Sequence, residues 1–213
     1  QGSGKTALSE AMLHVSGTIP RAGSVTEGTT KSDHHESEKE RQMSIFATLL
    51  HAYWNDTKIN ILDTPGYPDF VSEVIASMRV ADTALYVMDA RSGVEVGTEM
   101  AWSYGEDTDT PSLFVINHLD QSSADFNTIV DEIEDRFGRG ATVVQIPAGE
   151  GTRTLVDVLR MQQLHYPEGA TEPEVQPIDD AFADRAQTLH ETLVEDVAAS
   201  DDALMETYFE QGE

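Results

Sequence analysis

Gln1-Gly2-Ser3-Gly4-Lys5-Thr6 is the stretch whose reading decides the fold. It matches the back half of the pattern GxxxxGK[ST], entered two residues late. Glycines in such a loop let the backbone curl until its N–H groups converge on phosphate oxygens. The lysine reaches the terminal phosphates, and the threonine hydroxyl binds Mg²⁺. The next run, Ala7 to Val15, has the apolar spacing of a helix, whose N-terminus would aim its partial positive charge at the same phosphates. A loop of this kind hangs from a buried strand, which would precede Gln1. The expectation is therefore a chain truncated at its N-terminal end.

Composition narrows the alternatives. The 213 residues suit one large domain or one and a half, and 39% hydrophobic content supports a real core. No window approaches the ~18 continuous apolar residues of a membrane span. The chain has no cysteine, which excludes disulfides and thiolate zinc sites and agrees with a cytoplasmic location. Acidic residues number 39 against 13 basic ones, for a formal charge of −26. The only lysines are Lys5, Lys31, Lys39 and Lys58. The acids are spread along the whole chain, which favours adaptation to a high-salt cytosol over a dedicated acidic docking tail. Such a surface argues against sequence-specific DNA binding.

Along the chain, Gly17 to Ser44 is polar with no apolar periodicity, the signature of a long functional loop. Ile45 to Trp54 reads as a strand, Asn55-Asp56 as a turn, and Lys58 to Leu62 as a second strand. Pro68 to Val80 has helical spacing. Ala84 to Met88 and Ser112 to Ile116 are continuous apolar runs, expected of strands buried on both faces. Helices are expected over 97–105 and 124–137, the latter closed by Gly138. A further strand is expected over 142–146. Alternating strands and helices give a mainly parallel α/β sheet with helices on both faces. Residues 166–177 form a Pro/Gly/Glu-rich connection, followed by helices over 179–199 and 201–209.

Two more motifs sit at strand ends. Asp63-Thr64-Pro65-Gly66 follows the second strand. An aspartate there can hold Mg²⁺ through water, and the glycine N–H can bond a γ-phosphate. Asn117-His118-Leu119-Asp120 follows the strand 112–116 and matches Asn-Lys-x-Asp with histidine for lysine. A carboxylate at Asp120 accepts from both N1–H and the exocyclic amine of guanine, a donor pair that adenine lacks. The position, at a strand end in an α/β sheet, is where ligands of such folds bind. His34-His35, with Asp33 and Glu36, could suggest a metal site. Adjacent side chains on an extended segment point apart, however, and a solvated loop is the better reading.

These three motifs, with Glu38-Lys39-Glu40-Arg41 and the stretch Gly23 to Thr30 between them, resemble the GTPase domain of bacterial elongation factor G. The run Leu193 to Glu210 is similar to the helical part of the subdomain that this family inserts. Release factor three shares the motifs but not that run in this form, and elongation factor Tu lacks the insertion. Three departures look like the elongation-factor-G-like paralogues. Asp-Thr-Pro-Gly-His-Val-Asp-Phe stands as 63–70 with Tyr67 and Pro68. Arg-Gly-Ile-Thr-Ile stands as Arg41-Gln42-Met43-Ser44-Ile45. Asn-Lys-x-Asp carries His118.

The resemblance implies a P-loop NTPase core over 1–138, lacking its first strand. A partial inserted α+β subdomain would follow over 139–213, so the chain would be truncated at both ends. It implies GTP or GDP bound with Mg²⁺. Gln1, Gly2, Ser3, Gly4, Lys5 and Thr6 would hold phosphates, with Lys5 also assisting catalysis. Asp63, Thr64, Pro65, Gly66 and Tyr67 would form the second loop. Asn117, His118, Leu119 and Asp120 would bind the base. Thr6 and Ser44 would ligate Mg²⁺, with Asp63 acting through water. Tyr67 occupies the position where the family's histidine orients the attacking water. A phenol is no substitute for an imidazole base, so a GTP-binding module that hydrolyses poorly is the alternative, and a P-loop ATPase a more distant one. The implied partner is the ribosome, approached as a monomer and without membrane contact.

Overall fold

In the computed structural model the glycine loop runs directly into α1 (Lys5–Val15), with Gly4 as its N-cap. The structure describes residues 2–121, 124–138, 141–149 and 153–211. Packing divides the chain into two units, Gln1–Ile129 and Val130–Glu213. The division lies inside α5 (Phe126–Phe137), ahead of the boundary that the sequence places after residue 138.

In the first unit, a long loop leaves α1 and contains one short helix, α2 (Glu36–Arg41), that the sequence reading did not anticipate. β1 (Thr48–Trp54) and β2 (Thr57–Asp63) form an antiparallel hairpin in which Trp54 faces Thr57 and Thr48 faces Asp63. Its two-residue turn puts Asn55 and Asp56 at φ 47° and 60°. These are residue types that tolerate left-handed backbone and match the twist of a hairpin. Strand alternation turns Leu50 and Ala52 inward against Leu13, Ile19 and Ile61, and leaves Leu49 and Tyr53 exposed on the opposite face.

β2 ends at Asp63. After the loop 64–67 comes one 3₁₀ turn (Pro68–Phe70) and α3 (Val71–Met78). β3 (Ala84–Asp89), α4 (Val96–Asp107) and β4 (Ser112–Asn117) form a parallel β-α-β unit in which Asp89 faces Asn117. α4 lies close to β3 because Gly105 has no side chain; a Cβ there would overlap the Tyr86 hydroxyl. Tyr86 stacks on Phe114 with centroids 5.3 Å apart. The expectation that β3 and β4 are buried on both faces holds for one face only. Tyr86 and Met88 are buried, whereas Leu85 and Leu113, opposite each other in register, are 40% and 47% exposed. Among the described residues, β2 and β3 do not pair with each other. A cleft of about 820 Å³ lies between them, lined also by Ser3 and Lys5.

In the second unit, β5 (Gln145–Pro147), β6 (Thr154–Asp157), β7 (Gln162–His165) and β8 (Glu174–Gln176) form an antiparallel meander. α6 (Asp180–Ala198) and α7 (Asp202–Gln211) follow. Ile146, Val156, Val158, Leu164, Ala186 and Leu193 are buried, and the His190 ring bonds the Val158 carbonyl oxygen at 2.8 Å. The sequence reading placed a strand over 142–146 and a connection over 166–177. The structure has β5 over 145–147 and β8 inside that connection.

Candidate functional site

The chain reverses twice before α1. Gly2 and Gly4 have φ of 70° and 91°, a left-handed backbone that other residues rarely adopt. Gly4 also has no room for a side chain, since a Cβ would overlap Asn117 Nδ2. That nitrogen donates to the Ser3 carbonyl at 2.8 Å. The first and third sequence motifs are thus physically joined. Gln1 lies outside the described residues.

Thr6 and Ser44 are also brought together, their hydroxyl oxygens 3.1 Å apart. Asp63, at the end of β2, is 3% exposed, and its Oδ2 has no hydrogen-bond partner among the described residues. Asp33, which the sequence reading gave no part in the nucleotide site, is also 3% exposed, and both its carboxylate oxygens are likewise unpartnered among the described residues. Burial pushes both carboxyls above their ordinary range. The hydroxyls of Ser32 and Thr6 oppose this at Asp63, and that of Ser44 opposes it at Asp33. Burial lowers Lys5, while Asp63 and Glu95 pull it back up. Gly4, Lys5, Thr6, Asp33, Ser44 and Gly66 line a cavity of about 370 Å³. Two hydroxyls and two buried, under-satisfied carboxylates are hard oxygen donors, the set that suits Mg²⁺.

Thr64 and Gly66 are half-buried and Pro65 is fully buried. Tyr67, 37% exposed, borders both the 370 Å³ cavity and the larger cleft. At the end of β4, Asp120 is exposed and accepts from Gln121 Nε2 at 2.9 Å, while Leu119 is half-buried. His118 has φ 61° and places Nδ1 3.0 Å from Asp89 Oδ2. Asp89 Oδ1 also accepts from the Arg91 backbone N–H at 2.9 Å and from Arg91 Nε at 2.8 Å. The Arg91 guanidinium holds the Asp89 carboxyl well below the usual carboxylate range.

Two buried glutamates organise the long loop. Glu10, on α1, accepts from Gly23 N at 2.7 Å and from Lys31 N. Glu38, on α2, accepts from the backbone N–H of His35, Ile45 and Phe46 at 3.0–3.1 Å. Donor atoms of His34, His35 and Glu38 lie within 4.8 Å of one another. The Glu38 carboxylate is committed to three amides and His34 Nδ1 to the Ser32 carbonyl at 3.0 Å, so this cluster reads as a cap on α2. Sequence reasoning missed Asp33, Glu10 and Asp89. Glu10 sits within the apolar helical run of α1, Asp33 in a polar loop and Asp89 at a strand end, and only the last of these places hinted at a role.

A family model described as the elongation factor Tu GTP-binding domain matches residues 2–211. A crystal structure of a Thermus thermophilus protein is similar over 98% of this chain, with a TM-score of 0.91 and 31% identity. This chain spans 31% of the length of that one. No helix among the described residues is long and apolar enough to cross a membrane.

Proposed function

The chain belongs to the elongation factor Tu GTP-binding domain family, and on that premise we propose that it binds and hydrolyses GTP within an elongation-factor-G-like protein acting on the ribosome. The observation that carries the reading is the Asn117–Ser3 hydrogen bond, which couples the base-reading loop to the phosphate loop. Backbone amides of residues 2–5 and the Lys5 ammonium hold the phosphates. Gly66 N–H meets the γ-phosphate, and Asp120 accepts from the guanine edge. Thr6 and Ser44 ligate Mg²⁺, with Asp63 acting through water. When bound, the ion neutralises charge on the phosphates. Segments 17–44 and 63–80 are the switches, ordered by γ-phosphate and released after hydrolysis. Residues 139–213 are the partial inserted subdomain. The whole factor acts as a monomer and meets the ribosome as the full-length protein.

Tyr67 supports a second reading, in which GTP is bound but turned over slowly. A phenol can hydrogen-bond a water but cannot serve as its base near neutral pH. The test is GTP turnover by the full-length protein with and without ribosomes. Turnover stimulated by ribosomes and abolished by Thr6→Ala supports the first reading. Tight GTP binding with no turnover in either condition supports the second. Absence of GTP binding contradicts both.

A further inference from the structure

Ser44 to Thr48 lead from the oxygen-lined cavity into β1, and each of these residues is held through a side chain. The Ser44 hydroxyl oxygen lies 3.1 Å from that of Thr6. The Ile45 and Phe46 amides donate to Glu38 Oε1 on α2 at 3.0 and 3.1 Å. The Ala47 amide donates to Glu73 Oε2, in the first turn of α3, at 2.8 Å. The Thr48 hydroxyl donates at 3.0 Å to the Ser32 carbonyl, beside Asp33. All but one of these ties return to α1 or to the long loop. Glu73 alone reaches across to α3. Among the described residues its bond to Ala47 is the one hydrogen bond between residues 32–48 and residues 64–78.

The far side of that bond is stiff. The Phe70 amide donates to the Tyr67 carbonyl at 3.0 Å and closes the 3₁₀ turn that runs straight into α3. Gly66 and Tyr67 border the same cavity as Ser44, whereas Glu73 and Ala47 line neither the cavity nor the cleft. We propose that Glu73 is a positioning residue that couples the Ser44 segment to the loop carrying Gly66, so that a metal ion held at Ser44 and a γ-phosphate met at Gly66 strengthen each other. The idea rests on the guanine-nucleotide reading above and deepens it. A shift of Gly66 toward the γ-phosphate carries α3 with it. Through Glu73 it pulls on an amide three residues from Ser44. Coupling of this kind is reciprocal, so the ion favours γ-phosphate contact as much as the γ-phosphate favours the ion. A tie that served stability alone would weaken every nucleotide complex equally.

The experiment measures Mg²⁺ affinity of the full-length protein bound to GDP and to a non-hydrolysable GTP analogue. It compares native protein with Glu73→Ala and Glu73→Gln, and melts of each nucleotide-free variant register any unfolding. The analogue-to-GDP ratio of Mg²⁺ affinities is taken for each protein. Dividing a variant's ratio by the native one cancels the nucleotides' own preferences for the ion and any uniform loss of stability. Glu73→Ala is expected to lower the ratio about tenfold, the effect of one hydrogen bond to a charged acceptor. Glu73→Gln keeps an acceptor oxygen for Ala47 and should stay within about threefold of native. A Glu73→Ala ratio equal to native, or a Glu73→Gln ratio as low as that of Glu73→Ala, overturns the coupling while leaving guanine binding intact. Failure of native protein to bind either nucleotide removes the guanine reading, and the coupling with it.

Discussion

The Asn117 side-chain amide donates to the Ser3 carbonyl at 2.8 Å, joining the end of β4 to the phosphate loop across 114 positions of sequence. Gly4 is the residue that permits this. Its φ of 91° suits glycine, and a Cβ would occupy the place of the amide nitrogen. Gly4→Ala is therefore expected to break the junction sterically and Asn117→Ala chemically. The Asn117→Ala loss in stability should be about 0.5–1.5 kcal/mol, the net value of one hydrogen bond. Both variants should lose at least about tenfold in GDP affinity, which is ~1.4 kcal/mol of binding energy. Calorimetry that finds native affinity in either variant would show that the two motifs act independently.

Asp63 and Asp33 should cost the ligand-free protein stability. Burial raises both carboxyls, so each holds its proton more tightly folded than unfolded. The cost is fully present above the raised values. It is relieved as pH falls through them toward the ordinary value near ~4. Asp63→Asn and Asp33→Asn should each raise the ligand-free melting temperature at neutral pH by about 2–4 °C. The same variants should weaken Mg²⁺-dependent nucleotide binding, the usual exchange of stability for function. Melting temperatures that fall, with Mg²⁺ dependence unchanged, would assign both carboxylates a structural role.

Position 67 controls the rate if it orients the attacking water. Positioned groups of this kind contribute ~10²–10⁴-fold. Tyr67→His should then raise ribosome-stimulated turnover, Tyr67→Phe should lower it, and GTP affinity should stay unchanged in both. Single-turnover measurement decides the matter. Fast native turnover that survives in Tyr67→Phe would show that the chemistry does not depend on this side chain.

The charge of −26 implies self-repulsion in the folded chain. Screening length shrinks from ~10 Å at 0.1 M salt to ~3 Å at 1 M. Melting temperature is expected to climb across that KCl range. A flat or falling curve would mean that the charges are already compensated, and the high-salt reading would lose its basis.

The sequence revealed most where local chemistry repeats a pattern. The loop Gly2 to Thr6, the apolar runs of β3 and β4, and the amphipathic α5 and α6 were all legible. β6, β7 and β8 were not. They are three or four residues long and mix polar with apolar side chains, so no period of two could emerge. The family resemblance assigned Thr6 and Ser44 to one Mg²⁺ ion; in the structure their hydroxyl oxygens lie 3.1 Å apart. Asp33 was passed over because a carboxylate in a polar loop looks solvated. Its burial accompanies the fold of 17–44 around Glu10 and Glu38, two acids whose partners are backbone amides of the loop, 13 and 21 positions on from Glu10 and up to 8 from Glu38. The Asp89–His118 pair depends on the strand register that sets Asp89 beside Asn117.

The central claim is that this site reads guanine through Asp120. Competition between GDP and ADP for the full-length protein, repeated with Asp120→Asn and xanthosine diphosphate, tests it most directly. A charged, paired hydrogen bond is worth about 1.5–3 kcal/mol, so native protein should prefer GDP to ADP by at least about tenfold. The Asp120→Asn variant should lose that preference and turn toward xanthosine diphosphate. Equal affinity of native protein for GDP and ADP would contradict the account.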